Sequence, residues 1–129
     1  MSKAQKKWTI IFLVSAKSNL YNEMIAAINE ICSVGSNEHI NYVIIYDGLK
    51  AGVFKKEFAK PCVFYASNKK IRFSKAQPEK IYPECDLTVE DDLSIIIQDI
   101  KTKFPAAHYG FVYKGHGGTG GVDIKNGIT

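Results

Sequence analysis

Apolar and polar positions along this 129-residue chain alternate between two periods. "WTIIFLV", starting at Trp8, is a continuous apolar or β-branched run. It predicts a strand over residues 8–15, buried on both faces as in a parallel sheet. The period then becomes helical: Leu20, Met24, Ile25, Ile28, Ile31 and Cys32 share one face. Ser18 or Asn19 can cap the start of that helix and Gly35 can end it. "HINYVIIYDG", residues 39–48, predicts a second strand closed by an Asp-Gly turn.

Three short pieces follow, "GVF", "PCVFYAS" and "KIRFS", whose lengths predict a small antiparallel ribbon. "TVEDDLSIIIQDIKTKF" predicts the second helix. Thr88 and Asp91 have capping-box-like spacing, and Glu90, Asp91 and Asp92 favour the positive end of the helix dipole. Val89, Leu93, Ile96, Ile97, Ile100 and Phe104 form its apolar face, and Pro105 stops it. "HYGFVYK", residues 108–114, is the last predicted strand.

Strand, helix, strand, ribbon, helix, strand is the order of a single α/β domain over residues 1–129, with a mostly parallel sheet flanked by helices. The last predicted strand should be central in a complete sheet, yet little chain follows it, so the sheet is expected to have an unfinished edge. In such sheets the carboxyl ends of the strands carry the sites. The glycine-rich "GHGGTGG" after Lys114 sits at one of those ends.

Composition, 46% hydrophobic and 23% charged, excludes disordered and fibrous classes. No apolar run approaches the roughly 20 residues of a membrane helix. "KAQKK" before the first strand imitates a short signal peptide, but its apolar run is brief and a helix follows at once. The net charge of +4 is unevenly spread. Residues 50–80 hold nine Lys or Arg against Glu57 and Glu79, whereas residues 84–99 hold six acids and no base. A basic strip of this kind suits either a solvated edge or an anionic partner, with nucleic acid the less favoured. Cys32, Cys62 and Cys85 form no CxxC or metal-binding pattern, and their odd number argues against a closed disulfide framework. Cys32 and Cys62 read as small buried hydrophobes, and Cys85 as the most exposed of the three.

Three readings compete for the glycine loop. Laid on the P-loop pattern, it has Gly121 where lysine must reach phosphate and Val122 where a hydroxyl must bind magnesium. Gly115, Gly117 and Gly120 match GxGxxG, but neither the following helix nor the distal acid is present. A plain surface turn explains the glycines and leaves the histidine unexplained. The third reading places His116 as an acid–base group at a sheet end, with the unobstructed N–H of Gly117 directed at a developing oxyanion.

"YGFVYKGHGG" resembles the hydrophobic block and His-Gly pair of clan CD cysteine peptidases, which have the caspase-like fold. "KWTIIFLVSAKSNLYNEM" and "INYVIIYDG" are similar to the opening strand, helix start and second strand of one branch, the clostripain family. The resemblance covers both ends and is weak from about residue 49 to 87. It implies peptide-bond hydrolysis after basic residues, with His116 and Gly117 in the catalytic site and no cofactor or metal. It also implies a light-chain-like N-terminal portion whose partner, a C-terminal or heavy chain, carries the nucleophilic cysteine. A secreted or cell-envelope bacterial location would follow as well. Lys17, Ser18, Lys114 and Gly115 depart from the family pattern, and all three cysteines precede the histidine. The other function class is a non-catalytic caspase-like module that binds an anionic partner.

Overall fold

The computed structural model describes residues 5–16, 21–48 and 61–114. His116, Gly117, the helix-capping candidates Ser18 and Asn19, and the "GVF" piece lie outside them. Among the described residues five strands form one mixed sheet, β1 (Lys6–Ala16), β2 (Ile40–Gly48), β3 (Cys62–Tyr65), β4 (Lys80–Ile81) and β5 (Ala106–Lys114), in the order β4-β3-β2-β1-β5. β1 pairs in parallel with both β2 and β5, while β2–β3 and β3–β4 are antiparallel. Helix α1 (Tyr21–Val34) connects β1 to β2, and α2 (Glu90–Lys103) leads into β5.

Alternation along the strands sorts side chains onto two faces. Val14, Ile44, Tyr46, Cys62, Phe64 and Phe73 pack with Ile28 and Cys32 of α1. Ile11, Leu13, Val43, Ile45 and Val63 pack with Ile96 and Ile100 of α2 on the opposite face. The continuous apolar run of β2 thus reflects burial on both sides, as its sequence predicts, whereas the expected double burial of β1 holds at Leu13 and Val14 but not at Trp8, which is 39% exposed. The α/β, mostly parallel architecture is that of the expected fold.

Several local expectations are corrected. Asp47 and Gly48 do not turn: they pair with Ser15 and Ala16 and complete β2. "KIRFS" gives a 3₁₀ turn at Phe73–Lys75 rather than a strand, because Phe73 leaves the surface to pack edge-on against Tyr46 and Phe64. The ribbon's last strand forms later, at Lys80–Ile81. The Thr88–Asp91 capping box is absent, since α2 starts after Val89, which makes no side-chain cap. Thr88 instead donates from its N–H and its hydroxyl to Asp86 Oδ1, at 2.9 and 2.7 Å. On the predicted apolar face of α2, Val89 is exposed while Ile96 and Ile100 are buried.

Gly35 does end α1. Its φ of +72° and a Ser67 carbonyl 2.6 Å from where a Cβ would stand exclude any side chain. A buried polar chain ties the amino ends of the strands to the root of β5. Tyr65 Oη donates to Asn41 Oδ1 (3.0 Å), Asn41 Nδ2 to Thr9 Oγ1 (3.2 Å), and Thr9 Oγ1 to the Phe104 carbonyl (2.7 Å). This fixes where the chain leaves α2, and hence the register in which β5 runs beside β1.

Candidate active-site edge

The strand order places β1 at a topological switch point: its chain goes by way of α1 to β2 on one side, and β5 arrives by way of α2 on the other. Ligands of open α/β sheets bind outside the carboxyl ends of the strands at such a point. There the described residues are Ser15 and Ala16 of β1, Asp47 and Gly48 of β2, and Tyr113 and Lys114 of β5. Leu13 lies between Ile45 and Tyr113, and one step further Ser15 faces Asp47. By alternation Ser15, Asp47 and Tyr113 share the α2 face. The edge therefore presents a hydroxyl, a carboxylate and a phenol in adjacent strands. Asp47 is only 8% exposed.

Sequence reasoning did not single out these three residues. Their signal was position, as the last residues of apolar strands, which only the register converts into proximity. Of the predicted site residues, His116 follows Lys114 by two positions and Gly117 by three, both outside the described residues. What the structure locates is the root from which they depart.

It also locates every cysteine. Cys32 is buried in α1, and burial pushes its thiol pKa up. Cys62 is fully buried opposite Tyr46, three strands from β5, which at about 4.8 Å per strand is ~14 Å away. Cys85 is half-buried and packs with the α2-side core. Burial first, then the carboxylates of Asp92, Asp99 and Glu84, raise its pKa against the opposing pull of Lys80. A thiol held protonated is a poor nucleophile.

A second polar cluster sits at the far edge, beside β4. Tyr82 Oη donates to Asp99 Oδ2 at 2.9 Å, and Lys80 Nζ donates to the same oxygen at 3.2 Å. Those two hydrogen bonds hold the Asp99 carboxyl below its ordinary range. Burial, and then Asp99, push the Tyr82 phenol well above its own. The cluster joins β4 to α2 and is separated from β5 by the width of the sheet. Among the described residues no group of three or more His, Cys, Asp or Glu side chains could hold a metal ion, and no helix is long and apolar enough to cross a membrane.

No protein-family model matches the chain, and no curated protein matches it significantly. Solved structures do. A clostripain from Bacteroides thetaiotaomicron, in complex with the peptide inhibitor BTN-VLTK-AOMK, superposes with a TM-score of 0.62 at 16% identity, over 88% of this chain and 93% of that one. The chain has the clostripain fold. A B. fragilis cysteine protease matches at 0.53 and 17% identity, over 86% of this chain and 89% of that one. A secreted C11 cysteine protease of B. thetaiotaomicron, "iotapain", matches at 0.64 and 16% identity, over 86% of this chain but only 30% of its own. The clostripain-fold unit seen here thus makes up nearly all of one solved chain and under a third of another. At these identities it is the fold that is shared, and the caspase-like expectation is met at that level.

Proposed function

We propose that this chain is the histidine-bearing portion of a clostripain-like cysteine endopeptidase. His116 acts as acid and base, the N–H of Gly117 helps to bind the oxyanion, and a polypeptide segment outside this chain supplies the thiolate. The observation that carries the reading is the parallel pairing of β5 with β1 up to Val14–Lys114. It brings the chain to the carboxyl edge of the switch point two residues before His116. The positions of the three cysteines support a nucleophile from elsewhere: two are buried and the third is a half-buried, pKa-raised thiol beside α2. Cleavage after basic residues is the specificity we assign. The related clostripain was solved with a peptide inhibitor whose sequence ends in lysine, and Asp47 puts a carboxylate on the same edge here.

In the reaction the imidazole takes the proton of the attacking thiol and later gives it to the departing amine, while backbone donors hold the carbonyl oxygen as it becomes anionic. Residues 1–129 alone should not hydrolyse a lysyl or arginyl peptide. Joined to the thiol-bearing segment they should, and His116→Ala should then lower turnover by about 10²–10⁴-fold. Near-parental turnover in that variant would overturn the reading, as would turnover by the isolated chain that His116→Ala abolishes.

One observation favours a second reading, a non-catalytic anion-binding module. Lys69, Lys70, Arg72 and Lys75 are exposed together on the loop after β3, with Lys70 in a left-handed conformation at φ 57°. Binding of a polyanion that weakens steeply with salt, together with a catalytically silent His116, would support it.

A further inference from the structure

At the opposite end of the sheet from the candidate edge, a cavity of about 460 Å³ opens under the carboxyl end of α2. Its floor is the head of the polar chain, Asn41 and Tyr65. Its wall is Pro105 and Phe104, whose ring stacks on that of Tyr65 at 4.8 Å and 7°. Lys6 and Lys103 stand at the rim, and among the described residues no acidic side chain lines the cavity. The acids of the adjoining hollows, Glu79 and Glu38, lie against Lys103 and His39 at 2.6 and 3.7 Å. Lys103 is therefore engaged, and Lys6 is the cation left for a ligand. Its Nζ has the Tyr65 hydroxyl at 3.5 Å, the long limit of a hydrogen bond, and no carboxylate partner among the described residues. Asn41 is only 5% exposed. Of the two N–H donors of its amide, one goes to Thr9 Oγ1, and no described residue takes the other.

We propose that this cavity is a binding site for a small organic carboxylate, and that its occupancy firms the attachment of β5. A carboxylate has two oxygens, and the site offers two donors, the Lys6 ammonium and the second N–H of Asn41. Bonds to an ionised acceptor are shorter and about twice as strong as neutral ones, which gives Lys6 a better partner than the Tyr65 hydroxyl. A hydrocarbon tail would meet the Phe104 ring and Pro105. A phosphate, with more oxygens and a larger hydration shell, would leave acceptors unpaired against that apolar wall. The negative end of the α2 dipole does not oppose an anion here, because Lys101 and Lys103 occupy its last turn and Thr9 donates to the Phe104 carbonyl. The coupling follows from the direction of the bonds. Lys6 donates to Tyr65, Tyr65 to Asn41, Asn41 to Thr9, and Thr9 to the carbonyl from which the chain enters β5. A ligand that holds the Asn41 amide therefore holds the donor to Thr9 as well. Thr9 and Ser15 are six residues apart on β1, roughly 20 Å. The site is thus remote from the candidate edge, and the proposal is independent of the chemistry assigned to His116.

Butyrate is the probe, titrated into the chain at constant ionic strength with chloride as the balancing salt. The side-chain amide resonance of Asn41 should shift in a saturable way in a nitrogen-resolved NMR spectrum. Exchange of the β5 amides should slow while that of the β2 amides holds. Lys6→Gln should weaken binding about tenfold or more, the loss expected for a hydrogen bond to a charged partner, with unchanged circular dichroism. Lys6→Arg, which keeps a cationic donor, should recover most of it. His116→Ala should leave binding unaltered; its loss there would move the anion to the candidate edge and overturn the proposal. No saturable shift, parental affinity in Lys6→Gln, or an equal response to chloride would overturn it too. Tighter binding of inorganic phosphate than of butyrate would overturn the carboxylate assignment, and β5 exchange unmoved at saturation would overturn the coupling.

Discussion

β2 and β5 are both nine-residue strands paired in parallel with β1, yet they live in different environments. Val43, Ile44 and Ile45 of β2 are wholly buried and Tyr46 nearly so, whereas in β5 only Ala106 is buried. β2 has a strand on each side and a helix over each face. Among the described residues β5 has one strand beside it, and it packs into the core through Phe111 and Tyr113 on the α2 face. Burial is thus conferred by neighbours, and two strands of similar apolar content can differ this far because one is surrounded and the other is not.

The comparison breaks hardest on the β2 side. Phe73→Ala removes a fully buried ring that packs edge-on against Tyr46 at 5.1 Å and Phe64 at 4.7 Å. It should cost about 3–5 kcal/mol in a denaturant titration. A loss under 1 kcal/mol would mean that this half is not the stable core.

Thr9→Val tests the link between the halves. It leaves the buried Asn41 amide without its acceptor and the Phe104 carbonyl without its hydroxyl donor. The expected cost is about 1–3 kcal/mol. Amide exchange should also accelerate in β5 while β2 stays protected. Uniform acceleration would show that the polar chain does not anchor β5 in particular.

Acid sharpens the contrast by weakening the β4–α2 tie without touching β5. The Asp99 carboxyl is held down by Tyr82 and Lys80, so its contribution is complete above the ordinary carboxylate pKa of about 4 and is lost as pH falls through its lower folded value. Because Asp99 and Lys80 are substantially exposed, the effect is small. Stability of Asp99→Asn should depend less steeply on pH in that acid window than the parent's. Tyr82 titrates in the opposite sense: its raised pKa gives stability that is present below the usual tyrosine value and lost in strong base. Equal acid profiles for parent and Asp99→Asn would show the tie to be inert.

The smallest effect belongs to the open strand. Val112→Ala, at a side chain more than a third exposed, should change stability by no more than about 0.5 kcal/mol. A loss above 2 kcal/mol would show that the β5 face is covered in solution and that the two strands are alike after all.

Much of this was legible in residue order. The run at Ile40 specified a doubly buried strand and the run at Trp8 a strand, though one whose first residue stays exposed, and Gly35 marked a helix end by its left-handed conformation. The ribbon was less legible, because "KIRFS" has strand-like composition but its Phe73 finds two aromatic partners on the α1 side and turns inward. The Thr88 cap failed for a local reason: Asp86, two residues earlier, accepts from both the N–H and the hydroxyl of Thr88. The candidate edge was legible in part. His116 stood out by its glycines, whereas Ser15, Asp47 and Tyr113 became neighbours only through pairings between residues some 32 to 100 positions apart.

By itself, then, the sequence determined the elements, since helical and extended periods are local properties of backbone and side-chain geometry. It determined the α/β class as well, because parallel strands need crossover helices of the kind the pattern supplies. Strand order was beyond it. That β1 lies between β2 and β5, with α1 on one face and α2 on the other, follows from nonlocal burial and from the handedness of crossovers acting together. The tertiary structure alone decided that the same arrangement seals β2, leaves Trp8 and Val112 more than a third exposed on the β5 side, and puts a buried carboxylate two positions along β2 from the core, at the edge from which His116 departs.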